Sequence, residues 1–416
     1  MNILLVTVQF PPKNVIGSLR LYSFAYYWHK AGHNISVLTT KKNKKNNDLE
    51  LDCSFINIIE SPLPFLSRME SSYLNISKNN KINLKNIIVK IFSPMKELYM
   101  LISDNLQRVP SFYDLWSKKA LKLVKAGDFD VILSSGGPYS VHRVGLSLKK
   151  KNKNIKWIVD WRDLWTPTYN GKGLFSSYEI NLEKSFHNNA DLITCVTEPN
   201  TKIISMMTST SVKTIYNGFF PYKLTKTNRN NSKFSIVYIG SFYRKIQDIS
   251  PLFEAISRIK RKNIEIYKNL EILFAGKNSN ITDIVQKYDI SECYKFLGFV
   301  KMESSLDLQY NSNAVLFVDY NSHIDGVLSG KILEYIYYSN CIIGIGNDYS
   351  SSGAELIKES NTGVYLGNDV NLIEQYLTES ITNPERYKYN KNNEIINQYT
   401  RENQANILLN LILNLK

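Results

Sequence analysis

The stretch NILLVTVQFPPKNVIGSLRLYSFAYYWHKAGHNISVLTT (residues 2–40) decides the fold. It begins with a short apolar run, continues through a segment with helical spacing at 18–32, and ends in a second apolar run. A strand, a helix and another strand in this order are typical of a parallel sheet. The stretch therefore predicts the first β-α-β unit of a doubly wound α/β domain.

The same alternation continues through the first half of the chain. Helical spacing recurs at 111–126 and 139–151. Residues 60–110 are broken by Pro62, Pro64 and Pro94 and predict an insertion with amphipathic pieces. The predicted strands of this half are 2–8, 34–40, 130–135, 155–161 and 191–197.

A second set of apolar runs follows the polar stretch PYKLTKTNRNNSK (221–233), which has the composition of a linker. The predicted strands here are 234–240, 270–276, 293–300, 314–320 and 341–346. We therefore predict an α/β protein with two Rossmann-like doubly wound domains facing a cleft. Their expected ranges are 1–216 and 217–395, followed by a C-terminal helix within 396–416.

Composition places the chain among folded globular proteins. It has 416 residues, of which 43% are hydrophobic and 21% charged, so a disordered or fibrous chain is excluded. The first residues lack the features of a signal peptide, and no run is long and apolar enough to span a membrane. Because the cysteines are far apart and lack metal-type spacing, we expect a soluble, cytoplasmic protein with reduced thiols. The four cysteines are Cys53, Cys195, Cys293 and Cys341.

The net charge of +14 is unevenly distributed. Residues 1–215 hold 29 Lys and Arg against 16 Asp and Glu, while residues 216–416 hold 22 against 21. A basic first half favours an anionic partner, and we expect peripheral contact with the anionic inner face of the cytoplasmic membrane. The alternative is a solvated lysine-rich surface. A nucleic-acid partner is not expected, although the charge keeps it as a weaker alternative.

Two loops, each of which follows the first strand of a predicted domain, predict contact with a phosphate. In the first domain, Gly17 allows a ligand to approach the backbone, and Ser18 can cap the following helix. In the second domain, Gly240 and Ser241 turn the chain, and the adjacent cations Arg244-Lys245 suit a diphosphate leaving group. An ordinary turn and a solvated cation pair are the respective alternatives.

The stretch GVLSGKILEYIYYSN (326–340) predicts a third phosphate-facing loop. Ser329 and Gly330 stand where backbone N–H groups and a helix dipole attract an anion, with Lys331 next in sequence. Glu334 lies about one turn further, where its carboxylate can accept hydrogen bonds from ribose hydroxyls. A Lys331–Glu334 surface ion pair is the alternative, but it does not explain the glycines.

Two further clusters are candidates for substrate contact. His142 is a candidate catalytic residue that can hydrogen-bond the donor sugar or the acceptor hydroxyl if it faces the cleft, although a lone histidine on a helix is more often a surface or packing residue. The segment DWRDLWTPT (160–168) contains Asp160, Arg162, Asp163 and Trp165, which suit acceptor hydroxyls and a sugar face. A structural Arg–Asp pair beneath a buried tryptophan remains equally open.

Together these motifs resemble the GT-B glycosyltransferases of the family 4 type, especially those that build bacterial surface polysaccharides. The motifs that carry the resemblance are FPP…GSLR (10–20), GPYSVHRVGLSLKK (137–150), DWRDLWTPT (160–168), ADLITCVTEP (190–199), YNGF (216–219), YIGSFYRK (238–245) and GKILEY (330–335). The resemblance implies transfer of a sugar from a nucleoside-diphosphate donor to a saccharide or lipid-linked acceptor, with retention and without an essential metal or other cofactor. It also implies that the final helix crosses back to the first domain.

The resemblance assigns roles residue by residue. It places Arg244 and Lys245 at the donor diphosphate as catalytic cations, Glu334 at the ribose, and Gly17 near the donor phosphates. The full set of donor candidates is Gly17, Gly240, Ser241, Arg244, Lys245, Asp325, Leu328, Ser329, Gly330, Lys331 and Glu334. The family's second glutamate, eight positions before the first, is absent here: that position is Gly326, beside Asp325.

Two other functions remain open on the sequence. A nucleotide-sugar 2-epimerase shares the two-domain fold but is expected to surround the sugar with carboxylates and histidines, and the chain has five histidines. A non-catalytic module that binds a sugar nucleotide is suggested by the missing second glutamate.

Overall fold

The chain folds into two compact units, each built around one parallel sheet. The computed structural model describes residues 1–41, 49–63, 108–169, 174–224, 233–242, 246–276, 281–320, 328 and 330–415. The N-terminal unit comprises Met1–Tyr216 with Gln404–Lys416, and the C-terminal unit comprises Asn217–Asn403. The predicted α/β class with two Rossmann-like domains is confirmed.

The N-terminal unit has a seven-stranded sheet in the order β3-β2-β1-β4-β5-β6-β7, with every pairing parallel. Its strands are β1 (Asn2–Val6), β2 (Asn34–Thr40), β3 (Asn57–Ser61), β4 (Val131–Ser135), β5 (Lys156–Trp161), β6 (Leu192–Cys195) and β7 (Val212–Thr214). The strand order reverses between β1 and β4, so the carboxyl ends of these strands form the crevice where such sheets bind ligands.

Helices cover this sheet. They are α1 (Ile16–Lys30), α2 (Phe112–Ala120), α3 (Ser140–Lys151), α4 (Ser176–Asn189) and α5 (Glu198–Ser205). Helix α1 begins two residues earlier than predicted and has Val15 as its N-cap, without a side-chain cap. The expectation that Ser18 caps this helix is therefore wrong: Ser18 is buried inside its first turn.

The C-terminal unit has a six-stranded parallel sheet in the order β10-β9-β8-β11-β12-β13. Its strands are β8 (Phe234–Ile239), β9 (Leu270–Ala275), β10 (Tyr294–Gly298), β11 (Ala314–Val318), β12 (Ile342–Ile345) and β13 (Gly363–Tyr365). The order reverses between β8 and β11, which places the crevice of this sheet beyond Ile239 and Val318.

The remaining helices follow in chain order. They are α6 (Ser250–Lys262), α7 (Ile264–Lys268), α8 (Ile281–Lys287), α9 (Met302–Asn311), α10 (Gly330–Tyr338), α11 (Ser352–Ser360), α12 (Val370–Thr382), α13 (Asn393–Gln398) and α14 (Arg401–Leu413). The part of α14 from Gln404 belongs to the N-terminal unit, where Trp28 Nε1 donates a hydrogen bond to Ala405 O at 2.9 Å. No helix in the described ranges is long and apolar enough to cross a membrane.

The central strands form the core of each unit. Ile3, Leu4, Leu5 and Val6 of β1 are fully buried, as expected for a parallel sheet that is covered on both faces. All ten strands that the apolar runs predicted are present. Three short strands, β3, β7 and β13, were not predicted because they are only partly buried and have no apolar run of their own.

Candidate functional site

The candidate residues divide between the carboxyl ends of the two sheets. Arg244, Lys245, Asp325 and Ser329 lie outside the described residues, so their roles stay predictions. The other candidates are described, and the two units are considered one after the other.

Gly240 lies at the carboxyl end of β8, at the crevice of the C-terminal sheet. Its φ of +101° is in the region that favours glycine, and its N–H donates to Ala275 O at 2.7 Å. A Cβ atom at this position would lie 2.6 Å from Lys331 Cε and 2.9 Å from Lys331 Nζ. The absence of a side chain at Gly240 therefore makes room for the Lys331 side chain.

Lys331 is held over the end of β8 by neutral groups. Its Nζ donates to Tyr238 Oη at 3.0 Å and to Ser241 O at 3.1 Å, and lies 4.5 Å from the centre of the Tyr238 ring. Burial lowers the pKa of Lys331 to about 8. Among the described residues, no carboxylate lies within 4 Å of Nζ. A half-buried cation with only neutral partners is ready to pair with an anion.

Glu334 lies one turn further along α10 and does not pair with Lys331. Burial raises the pKa of Glu334, while the charge of Arg401 and a hydrogen bond with the Gln309 side chain oppose that rise. The surface ion pair that was the alternative for this motif is therefore absent. The carboxylate is half-buried, which suits a hydrogen-bonding role.

The tyrosines that follow fix helix α10 in the C-terminal unit. Tyr335 Oη accepts a hydrogen bond from Ile239 N at 3.1 Å, and Tyr338 Oη accepts one from Tyr222 N at 2.9 Å. Helix α10 begins at Gly330, and Leu328 just before it is half-buried. The tyrosines of α10 thus fix the position of this helix, which carries Lys331 and Glu334.

In the N-terminal unit the structure brings together Gly17 and Arg162, which the sequence had assigned to different ligands. A Cβ atom on Gly17 would lie 1.6 Å from Arg162 Nη1. The guanidinium of Arg162 donates to Gly136 O, to Gln9 Oε1, and to Gly137 O at 3.0 Å. The guanidinium therefore lies against the first turn of α1, at the crevice between β1 and β4.

Asp160 does not face a ligand, and its assignment as an acceptor-binding residue is corrected. It is fully buried and forms a bidentate pair with Arg20, with Arg20 Nη2 at 2.7 Å and Nε at 3.1 Å. Ser135 and Thr194 also donate to its oxygens. The guanidinium of Arg20 holds the pKa of Asp160 below its usual range despite burial. The structural Arg–Asp pair is thus present, with Arg20 and not Arg162 as the arginine.

Trp165 is also part of the core. It is 1% exposed and stacks on Tyr139 at a ring-centre distance of 4.3 Å, so the interpretation that it binds a sugar face is corrected. Asp163, in contrast, is exposed and remains available to an acceptor.

His142 is buried, which argues against the proposed contact with a sugar hydroxyl. Its Nδ1 lies 2.8 Å from Ser134 Oγ, and its ring packs edge-on against Trp161. Burial lowers the pKa of His142 to about 3, which makes it a poor proton acceptor at neutral pH. The interpretation of His142 as a catalytic residue is therefore corrected to a packing role.

The sequence had not identified Arg20, Gln9 and Tyr238 as site residues. Arg20 stands in the quoted motif GSLR and Tyr238 in YIGS, so both lay within segments already singled out. Arg20 pairs with Asp160, 140 positions away, and Tyr238 contacts Lys331, 93 positions away. No local sequence pattern shows pairings over such distances.

Comparison with solved structures identifies the fold as GT-B. Sucrose-phosphate synthase from Thermosynechococcus elongatus has a TM-score of 0.67 and 15% identity, over 100% of this chain and 99% of that one. The E. coli trehalose-6-phosphate structure bound with UDP-2-fluoro glucose has a TM-score of 0.66 and 12% identity, over the whole of both chains. The lipopolysaccharide outer core galactosyltransferase WaaB, in its apo form, has a TM-score of 0.54 and 12% identity, over 99% of each chain.

These identities establish the fold alone. No protein-family model matches the chain. No curated protein matches it either.

Proposed function

We propose that this protein is a glycosyltransferase that uses a nucleoside-diphosphate sugar. The observation that carries the proposal is the placement of Lys331 over Gly240 at the crevice of the C-terminal sheet. Ligands bind at this position in doubly wound sheets, and a cation there suits a diphosphate. Glu334, one turn further along α10, suits the ribose hydroxyls of the same nucleotide.

The chemistry follows from the charge that develops during transfer. The bond between the anomeric carbon and the diphosphate oxygen breaks, and a new bond forms from that carbon to an acceptor hydroxyl oxygen. The acceptor proton passes to the departing diphosphate. Lys331 stabilises the negative charge that develops on the leaving group, and electrostatic stabilisation of this kind is usually the largest single contribution to catalysis.

The structural neighbours support this class of reaction. One is bound with a UDP-sugar analogue, and another is a galactosyltransferase of the lipopolysaccharide outer core. A saccharide or lipid-linked acceptor in cell-surface polysaccharide synthesis, and retention at the anomeric carbon, are the finer parts of the proposal. They rest on the resemblance to family 4 enzymes.

Further parts of the proposal concern the surroundings of the reaction. Arg244, Lys245, Asp325 and Ser329 are proposed to complete the donor site. We also propose that no metal is essential and that the basic N-terminal unit contacts an anionic membrane surface. We further propose that the protein is located in the cytoplasm.

A product assay tests the proposed function. The purified protein is incubated with UDP-, GDP-, ADP- or CDP-linked sugars and a panel of saccharide and lipid-linked acceptors. The proposal predicts one free nucleoside diphosphate per glycoside formed, and loss of both products in Lys331→Gln. An epimerised donor without transfer indicates the epimerase alternative. Donor binding without any turnover indicates the non-catalytic module.

A further inference from the structure

The hydroxyl group of Tyr238 is the centre of a hydrogen-bond network at the carboxyl end of β8. Its Oη accepts a hydrogen bond from Lys331 Nζ at 3.0 Å and donates to Ser241 O at 2.9 Å. The same hydroxyl lies 3.5 Å from Gln247 Oε1, and the Gln247 amide donates to Val318 O at 2.6 Å. The network therefore joins the ends of β8 and β11, the two strands between which the order of this sheet reverses.

Burial and ring packing hold the Tyr238 side chain in place. It is 2% exposed, and its ring stacks on Phe274 at a ring-centre distance of 5.1 Å and meets Phe242 edge-on at 6.2 Å. Gln247 is buried as well. Because a buried hydroxyl needs hydrogen-bond partners and its ring is closely packed, the Oη atom is a fixed acceptor for Lys331.

The network uses two of the three N–H groups of Lys331. The ammonium group donates to Tyr238 Oη and to Ser241 O, and a lysine ammonium has three donors. Across the part of the chain that the structure describes, no third acceptor lies within hydrogen-bond distance of Nζ. Because the two bonded N–H groups set the orientation of the ammonium, they also set the direction of the third, which is left for an anion.

We propose that Tyr238 is a positioning residue for Lys331, and that its hydroxyl orients the ammonium group towards the diphosphate of a bound nucleotide. This inference rests on the proposed function, since it names the residue that prepares the proposed donor site. Without the hydroxyl, the lysine keeps its charge but loses the acceptor that fixes one of its N–H groups. A freer lysine side chain loses more rotamer entropy when it binds an anion, so the affinity falls.

A double-mutant cycle on nucleotide binding tests the proposal. The chain is titrated calorimetrically with UDP, GDP, ADP and CDP, as the wild type, Tyr238→Phe, Lys331→Gln and the double variant. Tyr238→Phe keeps the buried ring and removes only the hydroxyl. The matched control is Tyr267→Phe, which also loses a buried tyrosine hydroxyl but lies in α7, just before the amino end of β9. The control for Lys331→Gln is Lys125→Gln, which removes one exposed charge before the amino end of β4.

We expect Tyr238→Phe to weaken binding of the preferred nucleotide about fivefold, the size that the net loss of one hydrogen bond produces. In the Lys331→Gln background the same substitution should have no further effect, because no ammonium group is left to orient. The pH above which the affinity falls should also be lower in Tyr238→Phe, since the hydroxyl accepts a hydrogen bond from the charged form of Lys331. A hydroxyl that only stabilised the fold would weaken both backgrounds equally and leave this pH unchanged.

The cycle separates failure of this inference from failure of the proposed function. Unchanged affinity in Tyr238→Phe, equal weakening by Tyr267→Phe, or the same weakening in both backgrounds overturns the positioning role and leaves the proposed function intact. A wild type that binds no nucleotide, or that binds no better than Lys331→Gln, overturns the proposed donor site and this inference with it.

Discussion

Lys331 Nζ lies 3.1 Å from the carbonyl oxygen of Ser241, directly over the position that a side chain on Gly240 would occupy. This contact joins the two motifs that the sequence assigned to a diphosphate, one after β8 and one at the start of α10. Two segments about 90 positions apart therefore meet at the proposed anion-binding position of the C-terminal unit.

Replacement of Gly240 by alanine tests this packing. We expect Gly240→Ala to lower stability by about 1–2 kcal/mol through the positive φ, and to lose nucleotide binding because the Cβ displaces Lys331. The matched control is Gly32→Ala, which also has a positive φ, +85°, but whose Cβ would meet nothing within 4 Å. Urea unfolding and UDP titration measure the two effects. Unchanged UDP affinity in Gly240→Ala would show that Lys331 does not contact the ligand.

The pH dependence of nucleotide binding follows from Lys331. Because burial lowers its pKa to about 8, the cation is present at neutral pH and lost above that value. UDP affinity should therefore be constant between pH 7 and 7.5 and fall towards tenfold per unit above about pH 8. Lys331→Gln should bind UDP weakly with no such fall. The same pH profile in both proteins would exclude Lys331 as the group that titrates.

The buried pair of Arg20 and Asp160 predicts a large stability effect. Asp160→Leu leaves a buried arginine unpaired, and we expect a loss of about 3–5 kcal/mol. Asp163→Leu, three positions along and exposed, should change stability by less than about 0.5 kcal/mol. The double variant Arg20→Leu/Asp160→Leu should be less damaged than Asp160→Leu alone. Equal urea midpoints for the two single variants would show that the pair does not stabilise the fold.

His142 separates a packing role from a catalytic one. His142→Ala should lower stability by about 1–3 kcal/mol, because it opens a cavity and removes a partner of Ser134. The folded variant should keep its sugar-transfer activity at a temperature below its unfolding transition. A variant as stable as the wild type but without turnover would restore the catalytic interpretation.

Glu183 of α4 predicts a decrease of stability as pH rises from about 4.5 to about 7. Burial raises its pKa to about 7 from a usual value of 4.5. The folded state then binds more protons than the unfolded state between these values, so stability is full below about pH 4.5 and falls as pH rises through 7. Relative to Glu183→Gln, the wild type should lose about 2–3 kcal/mol between pH 5 and pH 8. If the urea midpoints of the wild type and Glu183→Gln change with pH in the same way, Glu183 is not the group responsible for the loss of stability.

The sequence predicted the sheets better than the site, because strands follow from local apolar runs whereas the site depends on contacts between residues far apart in the chain. Strands such as Asn2–Val6 are apolar at nearly every position, and burial on both faces of a parallel sheet favours such runs. The partner of Asp160, in contrast, is 140 positions away, and Asp160 and Arg162 stand two positions apart in one motif. Which arginine pairs with the carboxylate depends on tertiary packing.

The same reasoning explains the outcome for the aromatic and histidine candidates. Trp165 and His142 belong to residue types that serve both cores and ligands, and only burial distinguishes the two uses. For Lys331 and Glu334, the glycines before the helix indicate a place where a ligand can approach the backbone closely, and the nucleotide-binding role of the two residues stays a prediction.

The most direct test of the central claim is titration of the 416-residue chain with UDP, GDP, ADP and CDP, repeated with Lys331→Gln and Glu334→Ala. We predict that one nucleotide class binds the wild type and that both substitutions weaken it at least tenfold, with Lys125→Gln unchanged. A ligand at about a hundred times its Kd should also add about 2.7 kcal/mol to stability. Binding that is equally strong in all four proteins would contradict a nucleotide site at Lys331 and Glu334.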